Sequence, residues 1–480
     1  MLRINKIYFK TFFLCFLGLS LWGCEPKTTN PPPNVLMISI DDLNDWVGVL
    51  SEHPNAITPN IDRLAREGVL FTNVHCQAPI CGPSRASLMS GLRPSTTGIY
   101  GQIKDKDIRS AHPILTNIDF LPNYFNKQGY KTLGVGKIFH KHAPEGTFDV
   151  SGGREKGFGP SPPKSLNWDK KGTVTDWGVY PSADSLMIDY KVSQWAKNEL
   201  LVGHEKPFFL AVGFIRPHVP WHAPQKWFDL HPLKDIKLPS YEANDFDDLP
   251  EIAKQIAFKG MMPTTDWAIE NNQWKRIIQA YLACISFVDH QVGEVLKALN
   301  DGPNNKNTIV VLWSDHGYEI GEKGSFGKHT VWSESTRVPM IFKIPGQPAN
   351  QVVNTAVELL DIYPSLLELC NLPKNPLNEG KSLVPLINGE TEINRVAITT
   401  YGANNHSFVN ETHRYIIYED GSEELYDLRL DPEERNNLAL DENIEVIKLS
   451  FKSKIPKTNA SWSPKSYLTI NEYFKKKNKK

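Results

Sequence analysis

An α/β fold, with a mostly parallel central sheet flanked by helices and a small antiparallel subdomain after it, is predicted by three features of this 480-residue sequence. Short apolar runs recur along the chain, and each stops abruptly at charged or polar residues. Stretches of helical period lie between them, and strands alternating with helices argue for a parallel sheet covered on both faces. From about residue 396 the texture changes to short strands separated by turn residues.

The first run is VLMISI at 35–40, followed by Asp41 and Asp42. The second is KTLGVG at 131–136, followed by Lys137 and His140. The third is PFFLAVGF at 207–214, then Arg216, Pro217 and His218. The fourth is TIVVLW at 308–313, then Ser314, Asp315, His316 and Gly317. Unbroken apolar runs of this length fit strands buried on both faces. Between them, Thr58-Pro59 opens a helix with Ile61, Leu64 and Ala65 on one face, closed by Gly68. Tyr281, Ile285, Val288, Val292, Val295 and Leu299 step by four and three, the mark of a long amphipathic helix. In open α/β sheets ligands bind beyond the carboxyl ends of the strands, and all four polar clusters fall there. After residue 396, AITTY, SFV, HRYIIYED and ELYDL read as an antiparallel sheet with Asp420-Gly421 at a hairpin turn. The segment 151–182, rich in Gly, Pro and Trp, has no periodicity and is expected to be a substrate loop.

Composition excludes other classes. With 40% hydrophobic and 22% charged residues the chain is globular, not disordered. Its 53 basic and 54 acidic residues leave a net charge of −1, so no nucleic-acid footprint is expected. Arg3, Lys6 and Lys10 precede an apolar run at 11–22, which reads as a signal peptide over 1–23. Gly23-Cys24 resembles a bacterial lipobox, which implies acylation of Cys24 and a membrane anchor facing the periplasm or exterior; ordinary secretion is the alternative. Residues 24–33 form a polar, proline-rich tether, 34–390 the expected catalytic domain, 391–470 the antiparallel subdomain, and 471–480 a basic tail. That tail reads as a solvated end, with a membrane or polyanion contact as the sharper alternative. The cysteines are too scattered for a disulfide scaffold or a zinc site, and Cys284 falls on a helix among apolar neighbours.

The chemistry centres on residues 78–91, APICGPSRASLMSG. Cys81 stands at a helix N-terminus beside Arg85, where free N–H groups and the helix dipole favour an anion and lower a thiol's pKa. Cys81-x-Pro83-x-Arg85 resembles the signature of the sulfatase family. The setting strengthens it: TPNIDRLAREG at 58–68 upstream, Asp41-Asp42 ending one strand, Asp315-His316 ending another, and the stretch 415–438 near the C-terminus. GKIFH at 136–140, Arg216-Pro217-His218 and His316 resemble the iduronate-2-sulfatase-like branch.

That resemblance implies a sulfuric ester hydrolase of the alkaline-phosphatase-like fold. Its nucleophile is a formylglycine made from Cys81 by a maturation enzyme. It also implies a Ca²⁺ ion, with Mg²⁺ as the alternative, held by Asp41, Asp42, the group at Cys81, Asp315 and His316. Asp41, Asp42 and Asp315 are hard oxygen ligands suited to such an ion. Arg85 would hold the formylglycine hydrate and a metal-site carboxylate, and Lys137 and Lys328 would clamp sulfate oxygens. His140 would act as the base that releases sulfate, and His218 would protonate the leaving alcohol. The substrate implied is a sulfated polysaccharide or its oligosaccharides, uronate-containing, such as ulvan or a glycosaminoglycan. Lys137 and Lys328 also admit a surface reading, and Trp221, His222 and His142 fit a substrate pocket or simple packing equally. Two other functions fit the chain: a phosphodiesterase or phosphonate hydrolase of the same superfamily, and a non-catalytic lipoprotein that binds sulfated glycans.

Overall fold

The computed structural model describes residues 31–477, with 172, 258–259 and 469–470 excepted. The leader, Cys24 and most of the tether lie outside the described residues. Among the described residues no helix is long and apolar enough to cross a membrane.

Strands β1 (Asn34–Asp41), β2 (Val69–Phe71), β3 (Lys131–Gly136), β4 (Val150–Gly153), β5 (Phe208–Pro217), β6 (Thr308–Ser314), β7 (Met340–Lys343) and β8 (Gln351–Val353) form one sheet. Their order is β8-β2-β7-β6-β1-β5-β3-β4. β1 pairs in parallel with β5 and β6, and β5 with β3, so the four runs read from the sequence are the centre of the sheet. β7 is antiparallel to both its neighbours, β6 and β2, and runs against the rest.

Alternate residues of β1 enter two separate cores, as the period of two in a pleated strand requires. Leu36, Ile38 and Ile40 pack with helices α1 (Pro59–Arg66), α3 (Ile188–Leu201) and α4 (Trp274–Asp301). Val35 and Met37 face the other way, into the core that holds Ala86, Leu88 and Met89 of α2 (Cys81–Ser90). Helix α4 carries the predicted Tyr281–Leu299 stripe, but most of its 28 residues are buried, so it is an interior helix more than a surface one. Gly68 follows the C-cap Glu67 of α1, its N–H donating to Ala65 O at 3.2 Å. Its requirement is a close approach: an added Cβ would lie 2.1 Å from the carbonyl oxygen of Phe342 on β7.

Strands β9 (Ala397–Thr400), β10 (His406–Val409), β11 (His413–Ile417) and β12 (Glu423–Asp427) form the antiparallel sheet, neighbours in chain order. Ile416, Tyr418 and Tyr426 share a core with Ile80, Val331 and Trp332 of the main body. Trp332 Nε1 donates to Glu424 at 2.8 Å, and Arg414 Nη2 to Ser333 Oγ at 2.9 Å. The small sheet is therefore a wall behind the loops that precede Cys81 and follow Lys328. At the start of the expected basic tail, Glu472–Lys477 is a helix whose Phe474 is buried against Tyr401 and Trp462, and residues 478–480 lie outside the described residues.

Candidate active site

In-register parallel pairing brings the strand ends together. Ile40 is opposite Ser314 on one side, and Asp41 is opposite Pro217 on the other. Gly136 is opposite Gly213. That glycine pair is what lets the Lys137 turn close on β5. Gly136 takes φ +79°, and a Cβ on Gly213 would fall 2.3 Å from the Lys137 backbone. Lys137 N–H then donates to Gly213 O at 2.8 Å.

Cys81 is the first residue of α2 and is 1% exposed. Its sulfur lies 3.2 Å from His316 Nε2, 3.2 Å from Lys328 Nζ, 3.6 Å from Lys137 Nζ and 4.0 Å from Asp42 Oδ1. Lys137 also donates to Asp41, and Lys328 to Asp42 Oδ1 at 2.5 Å. Both lysines are buried, so the surface reading of them falls away. Arg85, wholly buried, donates to Asp315 Oδ2 at 2.8 Å, to Asp41 Oδ1 at 3.3 Å and to backbone carbonyls of the Lys137 turn. Asp42 adopts φ +60°, held by Tyr281 Oη, which donates to its carbonyl at 2.8 Å.

Burial alone would raise the Cys81 thiol, but Lys137, Lys328 and His316 outweigh it and hold the pKa well below the ordinary value. Burial would likewise raise Asp41, and Lys137 foremost among the nearby charges drives it down instead. His140 is pushed down by burial, and its hydrogen bond to Cys81 only partly restores it. His218 Nδ1 donates to Val219 O (2.6 Å), which turns Nε2 toward Asp42 Oδ2, 3.9 Å away.

Asp41, Asp42, Cys81 and His316 place one ligand atom each within 4.8 Å of one another, all buried. Asp42 Oδ2 is buried without a hydrogen-bond partner. A divalent cation fits this donor set. Asp315 is not one of the four: its Oδ2 is turned onto Arg85, and its Oδ1 accepts the Asp42 N–H at 3.2 Å. Trp221 is wholly buried between Tyr281 and Tyr318, and His222 is buried with Nε2 3.1 Å from Asp176 Oδ2, so packing accounts for both. His142 is exposed.

Two carboxylates and a ring that sequence reasoning missed set up the histidines. Asp105 accepts three consecutive backbone N–H groups, from His140 (3.1 Å), Lys141 (2.7 Å) and His142 (2.9 Å). Asp189 on α3 accepts those of Ile215 (2.7 Å) and Arg216 (2.9 Å), just before His218. Phe158, from the 151–182 segment, stacks on the His218 ring at 4.1 Å and 2°. No spacing marks an aspartate that binds only backbone. Asp105→Ala is expected to lower kcat about 10–100-fold through misplacement of His140, with KM little changed. Steady-state kinetics check this, and an unchanged kcat would remove Asp105 from that role.

A buried nucleophile position ringed by cations, two carboxylates sized for a metal and a histidine on either side define a hydrolase for esters of a tetrahedral oxyacid. The Sulfatase family model matches residues 33–372, and the model for the C-terminal region of N-sulphoglucosamine sulphohydrolase matches 321–461. The chain is similar to a sulfatase of Formosa agariphila, 47% identical over 488 residues that cover 97% of this chain and 96% of that one. It is 30% identical to iduronate 2-sulfatase of Mus musculus over 397 residues, 72% of this chain and 69% of that one. Among solved structures, a 2-O GAG sulfatase matches with a TM-score of 0.68 at 24% identity, covering 88% of this chain and 91% of that one. The chain belongs to the sulfatase family, and it is a sulfuric ester hydrolase.

Proposed function

We propose that this enzyme removes sulfate from a uronate-containing sulfated glycan or its oligosaccharides, with formylglycine made from Cys81 as nucleophile and Ca²⁺ at the acidic cluster. The observation that carries the mechanism is the setting of Cys81, whose sulfur has two ammonium groups and an imidazole within 3.6 Å. A redox-inert structural cysteine needs no such surroundings; Cys76 and Cys284, which lack them, are pushed up by burial. Relatives named for iduronate 2-sulfate and 2-O GAG sulfate support the substrate class.

Formylglycine would supply a hydrated aldehyde, one of whose oxygens can bond to sulfur. The cation, held by Asp41, Asp42, position 81 and His316, would draw charge from the sulfate oxygens. Ca²⁺ accepts irregular, carboxylate-rich ligand sets more readily than Mg²⁺ does.

The rest falls to the chain's own side chains. Lys137 and Lys328 neutralise the sulfate oxygens as charge builds in the transition state. Arg85 keeps Asp41 and Asp315 at fixed separation. His218 Nε2 gives its proton to the sugar oxygen as the S–O bond to it breaks. His140 takes the proton whose loss frees sulfate and restores the aldehyde. The leader and Cys24 support export and a lipid anchor, on the side where extracellular polysaccharide is met.

Mass spectrometry of the peptide that spans Cys81, from enzyme produced with its maturation machinery, is expected to show an aldehyde-bearing residue. Unmodified cysteine in fully active enzyme would sink the proposal.

A further inference from the structure

We propose that Arg154 is a second anion-binding group of the active site, which takes the carboxylate of the sulfated sugar while Lys137 and Lys328 take its sulfate. This rests on the uronate substrate proposed above and names the residue that reads it.

Arg154 follows β4 directly, at the start of the 151–182 segment. Its guanidinium lies 5.8 Å from the centre of the Phe158 ring, which is stacked on His218. Lys137 Nζ lies 5.3 Å from the centre of the same ring. The guanidinium is thus one aromatic ring away from both the proton donor for the leaving oxygen and a sulfate-binding ammonium.

The arginine itself is half-satisfied. Its Nη1 donates to Glu155 O at 3.3 Å and its Nη2 to Gly157 O at 3.1 Å, both in its own loop. Nε is buried without a partner. Two of five donors are therefore occupied, and by neutral carbonyls. Burial lowers the Arg154 pKa, opposed in part by Asp41, Asp105 and Cys81, but a guanidinium stays protonated at any working pH. A partly buried fixed charge without a counterion is stabilised by an incoming anion. The planar fork suits a carboxylate, which can accept two parallel N–H groups. Arg154 also lines, with Gly136, Ile138 and His142, a cavity of about 150 Å³, room for about five waters at ~30 Å³ each. Solvent there can be displaced by a bound group.

The test compares wild type, Arg154→Gln and Arg154→Lys on three substrates: an aryl sulfate, a sulfated hexuronate disaccharide, and the methyl ester of that disaccharide. Arg154→Gln is expected to raise KM for the hexuronate about 10–100-fold, with kcat changed far less and a much smaller loss on the aryl sulfate. Arg154→Lys should fall between, because it keeps charge and loses the fork. Wild type should handle the methyl ester as the Gln variant handles the acid. Equal losses on the aryl sulfate and the hexuronate, or a wild type indifferent to esterification, would overturn the proposal and leave the uronate substrate standing. A wild type that turns over the aryl sulfate and neither hexuronate overturns both.

Discussion

Cys81→Ala is expected to reduce sulfate-ester turnover by about 10⁴-fold or more, the scale seen when a catalytic nucleophile is deleted. The fold should survive, because the change removes one sulfur from a site already bounded by fixed groups. Lys137 keeps Asp41 as its partner, Lys328 keeps Asp42, and His316 Nδ1 keeps its contact with Gly317 O at 2.9 Å. His316 Nε2 loses the sulfur at 3.2 Å but stays 3.4 Å from Asp42 Oδ1. A melting temperature within a few degrees of wild type, together with collapse of kcat, is the expected pair of results. Residual turnover near the wild-type level would mean that another group attacks sulfur.

The second large effect is expected at Asp42. Asp42→Asn keeps the size and the left-handed backbone, which asparagine tolerates well. It removes the charge that faces Lys328 and turns a metal-binding oxygen into a neutral amide. Loss of a tightly held divalent ion should follow, with kcat/KM down about 100-fold or more. Elemental analysis of the purified variant measures the first and steady-state kinetics the second. An Asn variant that retains full metal and full activity would place the cation elsewhere. Asp315→Ala is a different experiment: its carboxylate neutralises Arg85, so that change leaves a buried guanidinium with Asp41 alone.

Much of this architecture was legible before any coordinates, and for a physical reason. A strand buried on both faces must be apolar throughout, so β1, β3, β5 and β6 announce themselves as unbroken runs, and the charged residues that end them stand out. The short strands did not. Val69–Phe71, Met340–Lys343 and Gln351–Val353 have three or four residues each, too few for a period to show. The antiparallel course of β7 followed from none of them. In the site, the residues that carry charge at strand ends were found, as was the cysteine at its helix start. Asp105 and Asp189 were not, because what they bind is backbone, which every sequence has. Arg85 was expected to hold a metal-site carboxylate, and the structure shows that it grips Asp315 at 2.8 Å as well as Asp41. The 151–182 segment was expected to be a substrate loop, and the structure shows that its Phe158 stacks on His218.

The wall formed by the last strands has a consequence for biosynthesis. Ile80, next to Cys81, rests on Ile416, Tyr418 and Tyr426, which leave the ribosome more than three hundred residues later. Until they arrive, the thiol at 81 has no complete enclosure. On the formylglycine chemistry proposed above, an oxidising enzyme would have to reach it on a nascent or unfolded chain, and a molecule that folded first would have closed the door on its own activation.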